Sequence, residues 1–164
     1  MLLQDRIVIS SLDKEFARLH SRHCSLISTT PQADIYRQPQ QPDGRPGPSV
    51  GEGVLRGAAA VEQAFGGITA NLWDDPFEWT LPENLSTPAR IVEYLEEVEA
   101  TRQRAFSSFV RDTDLLKEIM GPASESRVLI DLLVKTLGKT AENYGRARAT
   151  LGLLTDLPLA EQVI

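Results

Sequence analysis

The fold class is decided by residues 49–72, SVGEGVLRGAAAVEQAFGGITANL. Ser49 and Glu52 have the spacing of a capping box, in which the serine hydroxyl accepts from the third helical amide and the glutamate reaches back to the serine amide. Behind them the apolar residues repeat at the three- and four-residue intervals of one helix face. The stretch therefore predicts a helix with a buried face, and its many glycines permit close approach of a neighbouring helix or a ligand.

Three further segments show the same helical period. The first covers residues 2–27, and the third begins at Thr87, a capping residue followed by proline at the first helical position. The last helix is predicted to start at Ser124 or Ser126, after a short helical turn over residues 112–120. Alternating β-branched runs of useful length are absent. The sequence therefore predicts an all-α four-helix bundle with long crossovers.

Two features are assigned to the surface of this bundle. The third helix carries four glutamates off its apolar stripe, which predicts a solvated face: Glu93, Glu96, Glu97 and Glu99. The aromatic-rich crossover over residues 71–84 is expected to lie on the bundle as a core lid or a dimer contact.

Composition is that of an ordinary globular protein. The chain has 164 residues, 41% of them hydrophobic and 24% charged, so residues 1–164 are expected to form a single domain. A net charge of −6 disfavours binding to a nucleic-acid backbone. The single cysteine, Cys24, excludes an internal disulfide and fits a reducing compartment. Without a signal-like start or a long apolar run, we expect a cytoplasmic protein with no membrane partner.

Few residues are arranged for a known chemistry. Phosphate-binding loops, dinucleotide fingerprints and nucleophile elbows are absent from the sequence, and two histidines cannot supply a three-histidine zinc site. His20, His23 and Cys24 share one face of the first helix, which leaves a metal-ligand role open. The favoured interpretation is structural: His23 lies on the apolar stripe as a core histidine, and Cys24 acts as a small buried hydrophobe.

Two stretches carry a resemblance to a known family: SVGEGVLR at residues 49–56 and KTAENYGR at residues 139–146. They resemble the signature stretches of the DinB-like (YfiT-like) superfamily, and the likeness in layout covers essentially the whole chain. The resemblance implies an up-down-down-up four-helix bundle and a homodimer. Many members bind a divalent metal such as zinc or nickel through three histidines, and some are metal-dependent thiol-S-transferases, isomerases or hydrolases.

Carried over by position, the three metal ligands fall on Gly53, Lys139 and Asn143, while Gly145 keeps the glycine of the family. Glycine has no donor atom, lysine is a cation, and an amide is a weak ligand, so we expect no metal there and no metal cofactor. A one-residue slip in the alignment would offer Glu52 and Glu142 instead.

Two roles for the Lys139 side chain are left open by the sequence. Its ammonium could close the bundle through an ion pair with Glu52 or Glu142, or Gly53 could leave an opening beside it. In the second case Lys139, Asn143 and Arg56 would favour a small carboxylate or phosphate ligand.

The function expected from these residues is that of a non-catalytic protein that binds a small anionic ligand or acts as a dimeric scaffold. The alternative is a divalent-metal hydrolase or thiol-S-transferase, with zinc or nickel held by non-standard ligands such as His20, His23, Glu52 or Glu142. No catalytic residue is assigned in the favoured interpretation, and no nucleic-acid or membrane partner is expected.

Overall fold

Four long helices make up most of the structure, a computed structural model that describes residues 3–76 and 80–155. They are α1 (Ile7–Thr29), α2 (Val50–Ala70), α3 (Pro88–Ser108) and α4 (Leu129–Thr155). The predicted all-α four-helix class is therefore confirmed. A short 3-10 segment, Leu3–Arg6, precedes α1, so the first helix begins later than predicted, and residue 2 lies outside the described residues.

The predicted caps of α2 and α3 are present. The Ser49 hydroxyl accepts from the Glu52 amide at 3.1 Å, and the Thr87 hydroxyl accepts from the Arg90 amide at 3.3 Å. The Glu52 carboxylate instead accepts from the Arg56 guanidinium at 3.0 Å, one turn further along α2. The Ser49 hydrogen bond of the predicted capping box is therefore formed, whereas Glu52 forms an ion pair with Arg56 instead of its expected bond to the Ser49 amide.

Aromatic contacts give the directions of the first three helices. Phe16, in the first half of α1, packs edge-on against Phe65 near the end of α2 and Phe106 near the end of α3. At the other end of α1, His23 lies against Gly57 in the first half of α2. His20 Nε2 lies 3.4 Å from Oε1 of Glu96 on α3, well before Phe106 along that helix. The helix α1 therefore runs opposite to α2 and α3, which run together.

The direction of α4 follows from its contact with α2. Gly53, near the start of α2, lies against Ala147 in the second half of α4, and Thr140 lies beside Gly57 one turn further along α2. These two helices are therefore antiparallel, so α4 runs with α1.

The core consists of two clusters stacked along the bundle. The first gathers apolar side chains from all four helices around an aromatic group formed by Phe16, Phe65, Phe106 and Phe109. The second surrounds the start of α2 and the end of α4, and includes Ile27, Val50, Val54, Ile91 and Ala147. The helical stripes of the sequence are thus the faces that meet in the interior.

The connection between α3 and α4 differs from the prediction. A 3-10 turn, Asp112–Leu116, leads into an antiparallel hairpin of β1 (Glu118–Met120) and β2 (Ser126–Val128). The predicted helical turn through residue 120 is therefore wrong in its second half, and α4 begins only at Leu129.

Local hydrogen bonds explain this correction. Ser124 has a positive φ of 60° in the turn, and the Gly121 amide donates to the Glu125 carbonyl at 2.7 Å. Ser126 then pairs within the strands, where its hydroxyl donates to the Glu118 carboxylate at 2.8 Å. Neither serine caps a helix, because both belong to the hairpin and its turn.

The predicted solvated face of α3 is wrong at one position. Glu93, Glu96 and Glu97 are exposed, but the Glu99 side chain is 7% exposed and accepts two hydrogen bonds from the buried Arg102 guanidinium, at 2.8 and 2.6 Å. Arg102 also reaches Asp13 of α1. Burial raises the pKa of Glu99, but the hydrogen bonds and charge of Arg102 outweigh burial and hold that pKa below its usual value.

Replacing Arg102 with methionine should destabilise the fold by about 3–5 kcal/mol, because a buried carboxylate then loses its cation. Urea unfolding at neutral pH measures this loss. Arg104→Met on the exposed face of the same helix is the matched control, and we expect it to change stability by less than about 0.5 kcal/mol. Equal effects of the two substitutions would contradict the assigned role of the Arg102–Glu99 pair.

The same variant predicts a dependence on pH. In the wild-type protein the lowered pKa of Glu99 stabilises the fold above the unfolded carboxyl pKa of about 4.3, and this contribution is lost as the pH falls through the folded pKa. In Arg102→Met, the two largest influences that lower the pKa of Glu99 are lost, and the Gln103 hydrogen bond and the nearby His20 are left to oppose burial. We therefore expect the pKa of Glu99 to rise, so that protonation relieves the charge that has lost its arginine. The stability difference between the two proteins should therefore narrow from neutral pH to about pH 4 in urea titrations.

Candidate ligand groove between α2 and α4

A groove of about 720 Å³ runs along the junction of α2 and α4. Its other walls come from the segment after α1, through Tyr36 and Gln38, and from the α2–α3 crossover, through Thr80 and Pro82. Aliphatic side chains of α2 form part of its floor, Leu55, Ala59 and Ala60. A smaller recess of about 210 Å³ adjoins it, because both are lined by Ala60, Gln63 and Lys139.

Four of the six residues proposed from the sequence line this groove: Glu52, Arg56, Lys139 and Asn143. Gly53 and Glu142 do not. Gly53 is buried where α2 contacts α4, and Glu142 is exposed on α4, where it accepts from Arg146 at 2.6 Å. Arg146 lines the groove and was not among the residues named from the sequence.

The expected opening beside Gly53 is absent. A Cβ on Gly53 would lie 2.8 Å from the Ala147 Cβ and 3.1 Å from the Asn143 carbonyl oxygen, both closer than normal packing allows. Glycine is therefore needed at this position because the α4 backbone occupies the space, and the groove lies to one side of this contact.

The expected ion pair of Lys139 with Glu52 or Glu142 is also absent. Glu52 binds Arg56 at 2.9 Å and Glu142 binds Arg146 at 2.6 Å, so each carboxylate already has a cation one turn away on its own helix. Within residues 3–76 and 80–155, Lys139 makes no ion pair, and its side chain is exposed at the groove. Lys135, one turn earlier on α4, lines the adjoining recess and is likewise without an ion pair among these residues.

The groove and recess together are more basic than the chain as a whole. Five cationic side chains line them, Arg56, Arg127, Lys135, Lys139 and Arg146, against the acidic Glu52 and Asp75. The three arginines are paired with nearby glutamates. In the part of the chain that the structure describes, the two lysines therefore carry the positive charge of the groove that has no acidic partner.

Asn143 is positioned by α4 itself. Its Nδ2 donates to the Lys139 carbonyl at 2.9 Å, which fixes the amide beside the lysine. This arrangement, together with the glycine at position 53, does not fit a divalent metal at the three positions implied by the family resemblance. An amide, a cation and a packed glycine offer no set of anionic or imidazole donors.

His23 lies in the core, as the sequence predicted. Its Nδ1 donates to the Leu19 carbonyl at 2.8 Å, and its ring packs edge-on against Tyr144. Burial lowers the pKa of His23, so the neutral ring is favoured. Its Nε2 is buried and has no hydrogen-bond partner among the residues that the structure describes.

The structure does not bring together the four residues named as ligands for the metal-enzyme alternative, His20, His23, Glu52 and Glu142. Of the described histidine, cysteine and acidic residues, the group whose donor atoms gather within 4.8 Å is His20, Cys24 and Glu96. Sequence reasoning placed Glu96 on a solvated face and so missed that it faces α1. Burial, followed by the negative charges of Glu96 and Glu99, raises the pKa of the Cys24 thiol to about 11.

Comparison with known proteins adds no relative: no family model, no curated protein and no solved structure matches the chain. The DinB-like resemblance therefore stays a prediction from the quoted motifs. Within the described residues, no helix is long and apolar enough to cross a membrane. Phe77 and Trp79 of the aromatic crossover lie outside the described residues.

Substituting Gly53 with alanine tests the α2–α4 contact. We expect the Gly53→Ala protein to be less stable than the matched Gly145→Ala protein by about 1–3 kcal/mol. The methyl added at position 53 overpacks the interface, whereas a Cβ at Gly145 meets nothing within 4 Å. Comparing two helical glycine-to-alanine changes cancels the gain in helix propensity. Chemical denaturation measures both, and equal stabilities would show that α2 and α4 can separate at this point without cost.

Proposed function

We propose that this protein binds a small organic anion, with a carboxylate or phosphate group, in the groove between α2 and α4, and that it does so without catalysing a reaction. The observation that carries the proposal is that Lys139 and Lys135, at the groove and its adjoining recess, make no ion pair with any residue that the structure describes. In a chain with a net charge of −6, two neighbouring lysines on one surface favour an anionic ligand.

The groove offers two kinds of contact to such a ligand. Lys139 supplies charge-assisted hydrogen bonds, and the Asn143 amide beside it supplies a polar group that can orient the ligand. Leu55, Ala59 and Pro82 provide an apolar surface for a hydrocarbon part. Ligand sites commonly combine an apolar lining with a few placed polar groups.

Catalysis has little support in this groove. Two polar side chains that line the groove are engaged in structural bonds: Tyr36 donates to the Leu85 carbonyl at 2.6 Å, and Gln63 donates to the Trp73 carbonyl at 2.8 Å. Burial, and then the charge of Glu83, raise the pKa of Tyr36 to about 12, so its hydroxyl remains protonated and is a poor general base.

A binding measurement with matched variants tests the proposal. Inorganic phosphate and short mono- and dicarboxylates are titrated into isotopically labelled protein, and amide shifts should appear at Lys139 and Asn143. Lys139→Met should weaken the binding by about tenfold or more, because one charge-assisted hydrogen bond is lost. Lys14→Met is the control, since Lys14 is exposed on α1 and the substitution changes the net charge equally.

Three outcomes would contradict the proposal. The first is that none of the probes shifts the groove amides. The second is that Lys14→Met weakens binding as much as Lys139→Met, which would show non-specific attraction. The third is turnover of a substrate that Lys139→Met abolishes, which would make the site catalytic.

The DinB-like resemblance also leads us to propose a homodimer. Its support is that resemblance together with large apolar side chains left exposed on α4, Val134 and Leu153. Light scattering over a range of protein concentrations should give the mass of two chains, and a constant mass of one chain would contradict the dimer.

A further inference from the structure

The facing surfaces of α1 and α3 bring together three different metal-binding side chains, away from the groove. His20 and Cys24 are four residues apart on α1 and so share one face of the helix. Glu96 comes from α3, which runs antiparallel to α1 at this point. His20 Nε2 lies 3.4 Å from Glu96 Oε1 and 3.7 Å from Cys24 Sγ.

We propose that His20, Cys24 and Glu96 bind one transition-metal ion of the zinc class, with a fourth coordination position open to solvent. The three side chains supply imidazole nitrogen, thiolate sulfur and carboxylate oxygen, which are the donors that Zn²⁺ takes in proteins. All three donor atoms lie within 4.8 Å of one another.

Two of the three donor separations are close to those around a single ion. Bond lengths of about 2.0–2.3 Å in a tetrahedral site place neighbouring donor atoms about 3.3–3.6 Å apart. The observed separations of 3.4 and 3.7 Å from His20 Nε2 are close to these values. Cys24 Sγ also lies 3.9 Å from His20 Nδ1, so a rotation of the imidazole about its Cβ–Cγ bond is the adjustment that aims a ring nitrogen at the ion.

The positions of the ligands are set by the helix pair. About two turns away from these ligands, α1 and α3 are joined by Arg102 of α3, which hydrogen-bonds Asp13 of α1 and Glu99 on its own helix. The site is therefore built on two packed helices instead of a mobile loop, which favours a fixed donor geometry.

The burial of the ligands indicates an open site. The His20 side chain is 17% exposed and the Glu96 side chain is 62% exposed, while Cys24 is half-buried. An ion held by these three groups is reached by water from the Glu96 side. Zinc sites with three protein ligands and an exchangeable water belong to the reactive type, whereas structural sites are closed by four protein ligands.

The charge around the site favours a cation. Among the described residues Glu96 forms no ion pair with a lysine or an arginine, and Glu99 lies one turn away with its charge shared by Arg102. Binding of a divalent ion would replace the long His20–Glu96 contact with two coordinate bonds and recruit the thiol as thiolate, releasing its proton to solvent.

Cobalt titration of the purified full chain tests the site, because a thiolate bound to Co²⁺ gives a charge-transfer band in the near ultraviolet and a tetrahedral ion gives intense visible bands. We expect one ion per chain, displaced by one equivalent of Zn²⁺. Cys24→Ser should remove the charge-transfer band. His20→Gln and Glu96→Gln should each weaken cobalt binding by at least about 10- to 100-fold. Losses of that size are typical when a residue that only hydrogen-bonds a metal ligand is replaced, and loss of a ligand itself should cost no less.

Glu97→Gln is the matched control, since Glu97 is an exposed glutamate beside Glu96 on the same helix. It should bind cobalt as the wild-type protein does. Circular dichroism and urea unfolding of every variant establish that the fold is kept, and phosphate binding in the groove should be unchanged in Cys24→Ser, which separates this site from the proposed function.

The proposal is overturned if saturating cobalt gives no charge-transfer band, or if the band persists in Cys24→Ser. It is also overturned if Glu96→Gln and Glu97→Gln bind cobalt equally, because the carboxylate from α3 would then not be a ligand and the contact would be a His20–Glu96 pair alone.

Discussion

The close contact between α2 and α4 is the constraint on which the rest of the bundle depends. Gly53 touches Ala147, and Gly57 accommodates the His23 ring on one side and Thr140 on the other. Two small residues one turn apart let the helix backbones approach more closely than larger side chains would permit. This accounts for a glycine-rich helix: its low intrinsic helix propensity is offset by packing that only glycine allows.

This contact also decides where a ligand can bind. Because the backbones meet at Gly53, the space between α2 and α4 lies beside the contact, where Lys139 and Asn143 of α4 face Arg56 of α2. The cations of the groove fall into two groups. The arginines form ion pairs with glutamates one turn away or in the neighbouring hairpin, whereas the lysines form none among the described residues. The net positive charge of the groove is therefore concentrated at the lysines.

The contact between the antiparallel helices α1 and α3 differs in that it includes buried charged side chains. Its buried Arg102–Glu99 pair is a charged contact inside an aromatic cluster, with the guanidinium 5.0 Å from the Phe106 ring centroid. Both residues of that pair belong to α3, so the register of α3 against α1 depends on the further hydrogen bond from Arg102 to Asp13 of α1. That register sets Glu96 opposite His20 and Cys24, which connects the packing of the core with the chemistry at the surface.

Local sequence determined the four helices, two of their caps, the buried stripe and the core position of His23, because each depends on helical period or on a hydrogen bond spanning a few residues. It did not determine the hairpin before α4, whose three-residue strands carry too little periodicity, nor the burial of Glu99, which depends on Arg102 and Asp13 meeting across two helices. The partners of Glu52 and Glu142 lie four residues away on the same helices, a local spacing that the sequence analysis passed over in favour of Lys139. The approach of Glu96 to His20 and Cys24, by contrast, was decided by tertiary structure alone. The reason is that side chains distant in sequence come into contact only after the helices pack, and the packing and register of the helices decide which of them meet.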